Sequence, residues 1–393
     1  MGSDIPYPFA KYSFIILPGF QYGGMEHTGA TLYNDTRMFL SEHPTLDEEL
    51  ARAKLIAHET AHMWFGIDLS QETYALTVPL DTKAILPNTD ERGYGLFIPD
   101  EQSRTWLLAH WQEITDDTAR QSLLMLLYEN YQHRIITDKE WMNALLNGLK
   151  TEKNALIAST LCSYLGGPMR KLKDEKQEET IWGWTEKHPI ASCRLQLIRS
   201  LVSNASAPQS IEKLYRIWEE QSYPMLNERD YMTMAYELAL HYPEKYENIR
   251  TNQRERITNP DRLRQFDFIV QAVTPDTLQI DAFFQSLLKA ENRRIEPWAA
   301  SALAYLNHPL RQPYSVKYIR PGLEVLQEVQ RTGDIFFPKN WVSALLGNYK
   351  SKEAYQELQA FFEAHPDYPS LLKNKILQAA WPLYREAANS LDM

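Results

Sequence analysis

The stretch "TLDEELARAKLIAHETAHMWFG", residues 45–66, decides how the first part of this chain is read. It opens with a helix start. Thr45 and Glu48 fit a capping box, in which the Thr hydroxyl accepts from the third backbone N–H and the Glu reaches back. Asp47, Glu48 and Glu49 load the first turn with negative charge, which suits the helix dipole. Gly66 stands where a helix C′ glycine would. These signals predict a helix from about Leu46 to Phe65. In its last turns His58 and His62 are four apart and share one face. Two imidazoles can thus be presented to one metal ion, with the carboxylate of Glu59 beside them.

Upstream, "YSFIILPGF" (12–20) reads as a strand ended by Pro18 and Gly19, and "TGATLYND" (28–35) as a second short strand. Between them lies Gly23-Gly24-Met25-Glu26-His27. His58-Glu59-x-x-His62 is the HExxH zinc-peptidase signature. Gly23–His27 resembles the GxMEN exopeptidase motif of the M1 family of zinc aminopeptidases, with His27 where the family usually has Asn. Glu26 lies 32 residues before His58, similar to the family's spacing. The approach "IPYPFAKYSFIILPGF" (5–20) is similar too. The resemblance implies a thermolysin-like (gluzincin) catalytic domain holding one zinc ion. It implies that His58 and His62 are zinc ligands and that Glu59 is the general base. It implies that Glu26 binds the free α-amine of a peptide substrate, while the Gly23, Gly24 and Met25 backbone lines the peptide. The chemistry agrees. A fixed carboxylate recognises a terminal ammonium by a charge-assisted hydrogen bond, glycines let an extended substrate approach the backbone, and zinc polarises a scissile carbonyl.

After Gly66 the family pattern stops. The family's third zinc ligand is a Glu in an Asn-Glu-Gly element 19 positions after the second His. That spacing falls here on Asp81, within "TVPLDTKAILPN", a strand-and-turn context that reads as coincidence. Glu72 has the chemistry without the motif. Tyr74 and Tyr94 have no context for the family's oxyanion-stabilising Tyr. "DTKAILPNTDERGYGLFIPD" (81–100) resembles the end of the β-sandwich that follows the catalytic domain in many M1 enzymes. Its strand-like ends predict a hairpin or two strands. The chain is therefore read as truncated or internally deleted near Gly66/Ile67, and the family's N-terminal β-domain is missing. Two histidines alone would hold zinc weakly, because catalytic sites use three protein ligands plus water.

From Glu101 onward apolar residues recur at helical spacing. Thr137-Asp138-Lys139-Glu140 is a capping box. Asn259-Pro260 and Thr274-Pro275 place a cap residue before a proline at the first helical position. His-Pro pairs at His188, His308 and His365 read as helix ends. About fifteen helices joined by short turns predict an α-solenoid of HEAT or armadillo type. This part resembles the helical C-terminal domain of M1 enzymes. Trp182 and Trp184 read as packing between helices.

The fold expected is mainly α. Residues 1–66 form a partial catalytic domain, 67–100 a β-sandwich remnant, and 101–393 a helical-repeat domain. A net charge of −10 disfavours nucleic acid as a general partner. Cys162 and Cys193 make no disulfide framework and read as small buried hydrophobes. No stretch reaches the ~18 apolar residues of a membrane span, and "MGSDIPYPFAKYSF" (1–14) is no signal peptide as it stands, so a cytoplasmic location is the default expectation. The function expected is a zinc-dependent aminopeptidase acting on peptides with a free N-terminus, impaired because the third ligand is missing. The alternative is a non-catalytic helical-repeat module that binds peptide or protein.

Overall fold

A computed structural model describes residues 11–18, 23–27, 29–40, 46–61, 81–88 and 95–391. It divides into two compact units, Met1–Leu80 and Asp81–Met393.

In the first unit, β1 (Ser13–Leu17), β2 (Gly24–His27) and β3 (Ala30–Asn34) form a sheet in the order β1-β3-β2. β1 runs parallel to β3 and β2 antiparallel to it, with Gly24 opposite Tyr33 and Glu26 opposite Thr31. β1 and β3 lie where their apolar and β-branched residues predict strands. β2 begins with Gly24, just after Gly23, and these glycines of low strand propensity predict no strand there. It forms because its hairpin with β3 closes through Gly29, which takes φ 71°, and because the Asn34 N–H donates to the Gly23 carbonyl at 3.0 Å. Alternation along β3 buries Thr31 and Tyr33 on one face.

A short helix, α1 (Asp35–Met38), follows at once, capped by the Asn34 side chain, which accepts from the Thr36 N–H. The predicted long helix is α2 (Leu46–Ala61). Thr45, its expected cap, and residues 62–66, its expected end, lie outside the described residues. Arg52 Nη1 donates to the Met38 carbonyl at 3.2 Å and ties α2 to α1.

The second unit is helical. Its helices are α3 (Glu101–His110), α4 (Asp117–Gln132), α5 (Asp138–Thr151), α6 (Ala155–Tyr164), α7 (Gly166–Leu172), α8 (Glu175–Lys187), α9 (Ala191–Asn204) and α10 (Pro208–Glu220). Then come α11 (Glu228–His241), α12 (Tyr246–Arg256), α13 (Pro260–Ile269), α14 (Thr277–Leu287), α15 (Glu296–Leu306), α16 (Gln312–Ser315) and α17 (Ile319–Glu324). The last are α18 (Leu326–Thr332), α19 (Phe337–Leu346), α20 (Lys352–Ala364), α21 (Ser370–Ala379) and α22 (Trp381–Leu391). Most helix contacts are between near neighbours, such as α8 with α9, α10 with α11, and α19 with α21. Two apolar clusters form the core, one from Leu107 to Val273 and one from Ala272 to Leu383. Trp111, Trp141, Trp218 and Trp341 are fully buried anchors. The last helix returns to an early one: Arg134 pairs with Glu386, Arg385 donates to the Gln132 carbonyl, and Trp381 lies 5.9 Å from the His133 ring.

Several local expectations meet the structure directly. Thr137 and Glu140 form the capping box of α5, and Asn259 caps α13 with Pro260 following. His188 and His365 cap the ends of α8 and α20. His308 instead caps the start of the 3-10 turn Pro309–Arg311, its side chain accepting from the Leu310 N–H. The cap expected at Thr274 is moved: Asp276 accepts from the Leu278 and Gln279 N–H groups and starts α14. Thr274 is held as the end of the preceding 3-10 turn, Val270–Val273, and a carboxylate two residues on offers the stronger acceptor. No strand forms in 81–88 or 95–100; these segments are pinned to helices, with the Ile85 N–H donating to Ser103 Oγ and Asn130 Nδ2 to the Phe97 carbonyl. The rest of the expected hairpin, 67–80 and 89–94, lies outside the described residues. Trp182 is buried with its indole N–H on Ser210 Oγ at 3.0 Å, and both cysteines are buried and unbridged. No helix among the described residues is long and apolar enough to cross a membrane.

Candidate active site

The two motifs meet. α2 packs on β2, and the side chain of Glu59 lies directly over Gly24. A Cβ at position 24 would sit 2.6 Å from Glu59 Oε1 and 2.7 Å from its Cδ and Cγ. Gly24 is therefore required as a notch for this carboxylate. Gly23 makes a looser fit, 3.4 Å from Leu55 Cδ1. Glu59 is only 5% exposed. Such burial leaves a carboxylate few positions to occupy, so the notch fixes it.

A tyrosine that sequence reasoning passed over holds this packing. Tyr12 Oη lies 2.9 Å from Thr31 Oγ1, 3.3 Å from Tyr33 Oη and 3.1 Å from Thr60 Oγ1. It thereby links the sheet to the residue that follows Glu59. Thr60 Oγ1 also donates to the Ile56 carbonyl at 2.7 Å, within the helix. Tyr33 is wholly buried, stacked 5.2 Å from Phe14. Burial pushes its phenol well above the ordinary range, the Tyr12 hydroxyl pushes the same way, and the charge of Glu59 adds to both. A neutral hydroxyl network thus backs the buried carboxylate. The only hint of Tyr12 in the sequence is an aromatic at the mouth of a strand, which is common in sheets and points to no role.

His58 is exposed on α2, next to buried Glu59. Its imidazole is accessible, and a pair of imidazoles four apart on a helix suits zinc. His62 and the Glu26 side chain lie outside the described residues, although Glu26 itself stands in β2 opposite Thr31. Glu72, Tyr74 and Tyr94 also lie outside them. Asp81 is exposed in a turn of the second compact unit. Among the described residues, no three His, Cys, Asp or Glu side chains are grouped so as to hold a metal ion.

Comparison with known proteins points the same way as the motifs. Residues 3–73 match the Peptidase family M1 domain. The chain is 22% identical over 226 residues to Aminopeptidase M1 of Arabidopsis thaliana, covering 57% of this chain and 24% of that protein. It is 44% identical over 63 residues to Aminopeptidase N of Streptomyces lividans, covering 16% of this chain and 7% of that one. It is 36% identical over 63 residues to Leucyl aminopeptidase of Saccharolobus solfataricus, 16% of this chain and 8% of that one. The chain thus spans about a quarter of the length of the Arabidopsis relative.

Proposed function

Taking the first 73 residues as kin of the M1 aminopeptidases, we propose that this chain carries part of an aminopeptidase site that trims N-terminal residues from peptides with zinc. The observation that carries this reading is the seating of Glu59 of HETAH on Gly24 of GGMEH. Chance motifs have no reason to pack against each other with a side chain of one filling a glycine notch in the other.

Each residue then has a role. Glu59, buried and backed by neutral hydroxyls, accepts a proton from the attacking water; a carboxylate held in one position transfers it without reorganisation. Glu26 in β2 receives the substrate's terminal ammonium by a charge-assisted hydrogen bond. β2 is an edge strand among the described residues, so an extended peptide can pair with its free backbone groups. His58 and His62 would hold the zinc, which when bound supplies Lewis-acid polarisation of the scissile carbonyl. The missing Asn-Glu-Gly element leaves two histidines to do the work of three ligands, so zinc is held weakly and turnover is low. A second reading, a helical-repeat module that binds without catalysis, is favoured by the two buried apolar cores the helical unit has of its own.

The test is zinc stoichiometry and aminoacyl-anilide hydrolysis for the full chain, with His58→Ala and Glu59→Gln beside it. Zinc lost in His58→Ala, with hydrolysis lost in Glu59→Gln while zinc is retained, supports the aminopeptidase. No zinc above micromolar affinity and no hydrolysis at saturating zinc, from folded protein, refutes it in favour of the module.

A further inference from the structure

The helical unit has an open cleft of about 800 Å³, within the ~300–1,000 Å³ typical of small-molecule sites. Its walls gather cations from elements far apart in sequence: Arg170 on α7, Lys350 in the segment after α19, and Arg385 on α22. Lys171, Lys173 and Arg199 also line it, against one acidic side chain among the described residues, Glu237. This is a basic cleft in a chain whose net charge is −10.

Part of that charge is already answered. Lys171 Nζ lies 3.0 Å from Asp138 Oδ1, and Arg199 donates to both oxygens of Asp230, at 2.7 and 3.0 Å. Glu237 is engaged by His308 Nε2 at 3.4 Å. Arg170, Lys173, Lys350 and Arg385 form no ion pair among the described residues. Arg170 bonds to the side-chain oxygen of Asn204. Arg385 donates to the Gln132 carbonyl, while its Nε is buried with no partner. The cleft walls draw Arg170, Lys350 and Arg385 below the ordinary range of their type. Lys171 repels Lys350 and Arg134 repels Arg385, while the carboxylates of Glu386 and Asp138 attract both and Glu237 attracts Arg170. Like charges gathered in one cleft repel one another. Anionic oxygens in the cavity would turn that cost into charge-assisted hydrogen bonds, bidentate where a guanidinium meets them. Three cations from three separate elements call for more than one charge on the ligand.

We propose that this cavity binds a small anion carrying two or more phosphate or carboxylate groups, held by Arg170, Lys350 and Arg385. The site is argued independently of the peptidase reading, since its described lining residues all belong to the second unit.

The test is calorimetric titration of the full chain at low salt with inorganic pyrophosphate and, separately, with citrate. Wild type is compared with Arg170→Gln, Lys350→Gln and Lys339→Gln; the last is an exposed lysine outside the cavity. Saturable one-site binding is expected, weakened roughly tenfold by Arg170→Gln and by Lys350→Gln and unchanged by Lys339→Gln. Arg170 and Lys350 are both open to solvent, so the variants should melt as wild type does, and a melt checks it. Binding of pyrophosphate alone assigns a phosphate-bearing ligand, citrate alone a polycarboxylate, and both the shared chemistry. Binding of neither at millimolar concentration, or equal weakening by Lys339→Gln, overturns the proposal. Neither zinc nor hydrolysis enters the readout, so its failure is separate from failure of the aminopeptidase reading.

Discussion

Gly24→Ala tests the contact on which the candidate site rests. The added Cβ would stand 2.6 Å from Glu59 Oε1, about 0.8 Å short of the 3.4 Å at which ordinary contact begins. Either Glu59 swings out of its notch or β2 moves away from α2. Overpacking of this kind costs ~1–3 kcal/mol, offset by the ~0.4–1 kcal/mol that Ala gains over Gly through the unfolded chain. The net expectation is a loss of ~1–2 kcal/mol confined to the first unit. Gly23→Ala is the control, because its Cβ meets Leu55 at an ordinary 3.4 Å; it should stay within ~0.5 kcal/mol of wild type. Amide hydrogen exchange of residues 46–61 is the assay, since it reads the opening of α2 locally. Where hydrolysis is measurable, Gly24→Ala should also lower it ~100-fold, the loss expected from a 1 Å misplacement of a catalytic group. Equal exchange rates in the two variants would refute the notch.

Three further outcomes follow from the same structure. Tyr12→Phe removes the hydroxyl that joins Thr31, Tyr33 and Thr60 and strands the buried Thr31 hydroxyl, so exchange in α2 and β3 should quicken by the equivalent of ~1–2 kcal/mol; unchanged exchange would show the bridge to be idle. Thr137→Ala should cost the helical unit ~1 kcal/mol as a lost cap. The hydrogen bond from the Thr137 hydroxyl, followed by that from its backbone N–H, holds the Glu140 carboxyl below its ordinary 4.5. A depressed folded value contributes stability above the unfolded value and loses it as pH falls through the folded one. The gap between wild type and Thr137→Ala in urea unfolding should therefore narrow below pH 4.5, and a gap constant with pH would contradict the assignment. Gly148→Ala places a Cβ 2.1 Å from Cζ2 of the fully buried Trp111. The ~1 kcal/mol that Ala gains in a helix is outweighed by overpacking against a rigid indole, and thermal unfolding should show a net loss of ~1–2 kcal/mol; a more stable variant would refute this.

The sequence by itself determined whatever depends on residues within a few positions of one another. Strands β1 and β3, the helix that carries His58 and Glu59, the capping box at Thr137 and Glu140, and the Asn259-Pro260 start are local signals written in propensity, period and cap chemistry. The mainly helical character after Glu101 was legible for the same reason. Only the tertiary structure decided the rest. β2 is a strand through its pairing with β3 rather than through its own glycine-rich composition. Gly24 and Glu59 are 35 positions apart, and no periodicity announces that one is the notch for the other. Asp276 rather than Thr274 starts α14, because the preceding 3-10 turn places the chain end there. The basic cavity is the extreme case. Arg170 and Arg385 share its wall across 215 positions of sequence, and what joins them is the return of α22 to α4. Contacts at that separation follow from how whole helices pack.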